Sequence, residues 1–97
     1  MATTAKQWED MWNRVVEARA KLKSFEHVSI VRHILLLDNI KPGATVSFDY
    51  GYGEQVPPVE VLKALENFNR ALRREDGVFR RLRKSDMAAI AIRRKFE

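Results

Sequence analysis

The chain has no cysteine among its 97 residues. Disulfides, thiolate zinc sites and a cysteine nucleophile are thereby excluded. Glycine and proline are scarce, at 4 and 3 residues, which argues against long flexible loops and linkers. Long apolar runs are missing as well. The runs Ile34-Leu35-Leu36-Leu37 and Met87–Ile92 are both far short of the roughly 20 residues that cross a bilayer as a helix. The stretch from Met1 to Asp10 has no apolar signal-peptide core. The expectation is a cytoplasmic protein with no membrane partner. There is no internal repeat and no low-complexity tract, so residues 1–97 are expected to form a single domain.

What is present has a globular balance, with 45% hydrophobic and 32% charged residues. The net charge of +5 is unevenly spread. Met1 to Asn69 carries 8 basic and 9 acidic residues, whereas Arg70 to Glu97 carries 10 basic and 4 acidic. Eight of those ten are arginine. Its planar fork can donate two bonds at once to phosphate or carboxylate.

Periodicity divides the chain into elements. Thr4-Ala5-Lys6-Gln7 has the spacing of a capping box. Trp8, Met11, Trp12, Val15, Val16, Arg19 and Leu22 then follow helical spacing, with Arg19 the one polar entry, which predicts a helix over about residues 4–23. Glu9 and Asp10 early, with Lys21 and Lys23 late, suit the helix dipole. Trp8 and Trp12 lie on the apolar stripe and are expected in the core. In 24–39, Val28, Val31 and Leu35 form one helical row and Ile30, Ile34 and Leu37 the next. The β-branched content favours a buried strand instead; a helix capped by Ser24 is taken over it. Lys41-Pro42-Gly43-Ala44 has the signature of a type II turn, and Thr45 to Tyr50 alternates as a strand.

Pro57 and Pro58 open the next predicted helix, in which Val61, Leu62, Leu65, Phe68 and Leu72 form an apolar stripe. Gly77 is expected to stop it. The tail reads as a β-hairpin, Val78–Lys84 and Met87–Phe96 around a Ser85-Asp86 turn, although Ser-Asp is not a favoured turn pair. The competing form is a helix capped by Ser85 or Asp86, with Met87, Ile90 and Ala91 in line. The expected fold is therefore α+β: helix, helix, strand, helix and a C-terminal hairpin, an order compatible with winged-helix-like packing.

The chain shows little sign of catalytic chemistry. His27 and His33 are six residues apart, whereas a helical pair of metal ligands needs three or four. Ser24, Ser29, Thr45, Ser47 and Ser85 lie outside any glycine-flanked elbow of the nucleophile type. Gly51-Tyr52-Gly53 lacks the third glycine of a dinucleotide loop, although Tyr50 and Tyr52 could offer stacking faces. No enzyme activity, metal or cofactor is expected.

The arginine-rich third carries the functional expectation, a small non-enzymatic nucleic-acid-binding protein. Arg80, Arg81, Arg83, Lys84, Arg93 and Arg94 of the hairpin would contact DNA or RNA phosphates, supported by Arg73 and Arg74. The alternative is a protein-binding modulator of the accessory or phage type. It would set the same basic face, or a Trp8/Trp12 patch, against an acidic protein surface.

Overall fold

The computed structural model describes residues 3–25 and 58–94. Three helices account for most of them: α1 (Ala5–Lys23), α2 (Val59–Arg80) and α3 (Lys84–Arg93). The expected helix over most of 24–39, the turn at 41–44, the strand at 45–50, Tyr50, Tyr52, His27 and His33 lie outside the described residues.

The first helix forms where its local signals place it. Thr4 is the N-cap, and both arms of the capping box are made. The Gln7 N–H donates to Thr4 Oγ1 at 3.2 Å, and the Thr4 N–H donates to Gln7 Oε1 at 2.8 Å. These bonds satisfy two polar groups left over at the end of the chain's first helical turn. Glu9 and Asp10 fall beyond the first turn, which contains no acidic residue, while Lys21 and Lys23 do occupy the last. Ser24 is the C-cap of α1, its N–H donating back to Ala20 and Lys21 carbonyls at 3.0 and 3.2 Å.

The α2 helix lies against α1 along its apolar stripe. Val15 and Leu22 of α1 are buried with Val61, Ala64, Leu65, Phe68 and Leu72 of α2. Full burial of a side chain of this size contributes about 1.5–3 kcal/mol. Trp8 is fully buried too, and Met11 and Trp12 are half-buried beside it.

The C-terminal expectation is corrected. No strand occurs among the described residues, so the α+β assignment and the tail hairpin do not hold there. Helix α2 runs through Gly77 to Arg80, and Lys84–Arg93 is a helix. A mid-helix glycine costs about 1 kcal/mol relative to alanine. Continuation past it is favoured because it buries Val78 and brings Leu82 and Ile90 onto Trp8, the second buried cluster. A hairpin would have split these apolar residues between two faces, each mixed with arginine. The short α3 helix has Arg83 at its N-cap without a side-chain bond, where the competing helical reading has Ser85 or Asp86. The Met87 N–H closes its first turn on the Arg83 carbonyl at 2.8 Å, and Asp86 supplies a negative charge there. Alanines at 88, 89 and 91 are strong helix formers. The winged-helix comparison falls with the hairpin.

Candidate functional site

Two carboxylates of the arginine-rich third, Glu75 and Asp76, turn inward. Glu75 continues the apolar stripe of α2 and has no exposed surface. Its Oε1 accepts the Trp8 indole N–H at 3.0 Å. The Arg94 guanidinium completes the cluster, with Nε donating to Glu75 Oε1 and Nη2 donating to Glu75 Oε2 and Asp76 Oδ1 at 2.8 Å each. Arg94 also lies over the Phe79 ring, 4.0 Å from its centroid. Burial works against the Arg94 charge and is the largest single influence on it. Hydrogen bonds to Glu75 and then Asp76 outweigh burial and raise its pKa above the ordinary arginine value. Among the described residues no buried side-chain nitrogen or oxygen lacks a partner. This clasp joins the start of α1, the last turns of α2 and the end of α3.

The eight basic residues expected at the site therefore divide. Arg94 is nearly buried in the clasp. Arg80 is exposed but ion-paired with Asp76 at 3.0 Å. Arg93 sits 5.3 Å from the centroid of the Trp8 ring, within cation–π range. The other five, Arg73, Arg74, Arg81, Arg83 and Lys84, are exposed and have no carboxylate partner among the described residues.

Helix geometry organises much of this charge. At 3.6 residues per turn, Lys63, Arg70, Arg74 and Arg81 fall within about 40° of one another on α2. Their face lies away from the buried stripe. Arg70 is bridged to Glu66 at 3.0 Å, an exposed pair that leaves its charge available. Arg83 and Lys84 extend the basic surface around the corner into α3.

Beside this face, a groove of about 360 Å³ opens between α1 and α2. Arg14 and Lys21 line it from α1, Arg70 and Arg74 from α2, with Glu17 as the single acidic residue. Ala18, Ala64 and Ala71 form part of its apolar lining. Sequence reasoning missed Arg14, Lys21 and Arg70 because the groove arises from helix packing. The seven-residue step from Arg14 to Lys21 and the four-residue step from Arg70 to Arg74 were the available signal.

No known protein family, curated protein or solved structure matches the chain. Among the described residues, no group of three or more histidine or carboxylate side chains is placed to hold a metal. None of the described helices is long and apolar enough to cross a membrane.

Proposed function

We propose that the protein is a non-enzymatic nucleic-acid-binding protein whose basic α2 face and α2–α3 corner hold the phosphate backbone. One observation carries this proposal. Within a single stretch, Glu75 and Asp76 are committed to Arg94 and Arg80, leaving Arg73, Arg74, Arg81, Arg83 and Lys84 exposed without carboxylate partners among the described residues. Such a surface attracts polyanions, and its arginine forks match phosphate oxygens. In place of a hairpin, two helices meet at a basic corner. Phosphate contacts supply affinity and carry no sequence code.

The test is a salt titration of binding to duplex DNA and to single-stranded DNA and RNA. Affinity for duplex should fall with a log–log slope of roughly −0.9 per phosphate neutralised. The paired substitution Arg74→Ala and Arg81→Ala should flatten that slope by about one to two units. It should weaken binding alike across sequences and leave the melting temperature unchanged. Lack of affinity for every nucleic acid at low salt would overturn the proposal.

A further inference from the structure

Gly77 lies inside α2, where a glycine is unexpected. It costs about 1 kcal/mol of helix propensity relative to alanine. The backbone does not need it, because its φ is not in the left-handed region. Packing does not need it either, since a Cβ built there meets nothing within 4 Å. The side chain is therefore missing on an open side of the helix.

The surroundings of that gap are specific. Residues three and four apart are neighbours on a helix surface, with Cβ atoms about 5–6 Å apart. For Gly77 those four neighbours are Arg73, Arg74, Arg80 and Arg81. All four are exposed, and among the described residues only Arg80 is ion-paired. The result is a gap in the side-chain surface whose helical neighbours are two arginines toward each end of the helix.

We infer that Gly77 is the floor of a phosphate cradle, the point where a phosphodiester backbone crosses α2 between the arginines at 73 and 74 and those at 80 and 81. This deepens the proposed function and rests on it. Without a side chain, a backbone can approach more closely than over any other residue. Guanidiniums on either side can then donate charge-assisted bonds to phosphate oxygens. A side chain at 77 would lift the phosphate away from them.

The inference predicts that stability and binding move in opposite directions. Gly77→Ala should raise the melting temperature, because alanine is the better helix former and nothing obstructs its methyl group. It should also weaken binding to a 20-base-pair duplex by about three- to tenfold, or about 0.6–1.4 kcal/mol. Gly77→Leu keeps the helix and fills more of the cradle, so binding should weaken further. Single-stranded RNA should show the same order if a single phosphate strand is what crosses. A restriction to duplex would place a pair of strands there. Polyglutamate of matched length supplies carboxylates in place of phosphates and should be less affected by either variant.

The outcomes separate cleanly. If the unmodified protein binds and both variants bind equally well, the cradle is wrong and the nucleic-acid proposal stands. If the unmodified protein binds no nucleic acid at low salt, both fail together. A drop in melting temperature for Gly77→Ala would show that the fold needs the glycine, and would overturn the cradle. Equal weakening toward polyglutamate would overturn phosphate as the group that fills it.

Discussion

The two ends of α2 are held by different physics. From Val61 to Leu72 the buried core that the helix forms with α1 is apolar. From Glu75 onward it is held through a buried carboxylate, a nearly buried guanidinium and an indole N–H, with Val78, Leu82 and Ile90 around them. Hydrophobic burial is non-directional and tolerates small shifts. The clasp tolerates little, because a buried charge that loses its partner retains its desolvation cost. Similar burial thus conceals different vulnerabilities. The apolar end yields to lost volume and the clasp to one lost partner.

Substitution can test that contrast at several strengths. Phe68→Ala removes the largest fully buried side chain of the apolar end. It should cost about 3–5 kcal/mol in a denaturant melt, with α1 and α2 loosening together. Arg94→Met keeps part of the side-chain stem but leaves Glu75 buried with the Trp8 N–H as its one remaining partner among the described residues. The expected cost is about 3 kcal/mol. Its signature should be local, with faster amide exchange in α3 and continued protection around Val61–Leu72. If the two variants gave the same exchange pattern, the contrast between the ends would collapse.

The raised Arg94 pKa fixes a pH direction. A cation whose pKa rises on folding contributes stability that is fully present below the unfolded value. That contribution is lost only as pH climbs through the folded value, here above the ordinary arginine range. Mildly alkaline solution should leave the Arg94 contribution intact. The smallest expected effect is at Thr4→Ala. Removing the cap oxygen should cost about 1 kcal/mol and loosen the turn of α1 that carries Trp8. The same assay should register this near the clasp rather than at Leu22.

The pattern of success and failure in reading the sequence follows the range of the interactions. The α1 capping box and stripe are local signals, and α1 forms where they place it. The apolar stripe of α2 is equally local as far as Leu72. Beyond that point the decisive partners are distant. Trp8 meets Glu75 across 67 positions, and Arg94 reaches it across 19. Gly77 by itself suggests a stop, and the stop hides that Glu75 and Val78 continue the stripe at helical steps. Extending the helix would have placed a carboxylate in the core, a sign that a buried cation was needed. Charge density marked the arginine-rich third in the sequence, and among the described residues five of its eight singled-out cations are exposed without a carboxylate partner. Which three would be engaged depended on tertiary contacts that no local window contains.

The tryptophans of the chain are both on α1, one turn apart, with ring centroids 5.7 Å apart and planes inclined by 19°. Trp8 belongs to the clasp, and Trp12 leans on both buried clusters. Intrinsic fluorescence is thus an optical probe weighted toward one end of the molecule. Emission should shift when the indole of Trp8 loses its carboxylate acceptor, even while Phe68 remains covered. Far-ultraviolet circular dichroism averages over every helical residue instead. The distance between the midpoints of two melting curves, one from each signal, therefore measures how independently the ends of a single helix come apart.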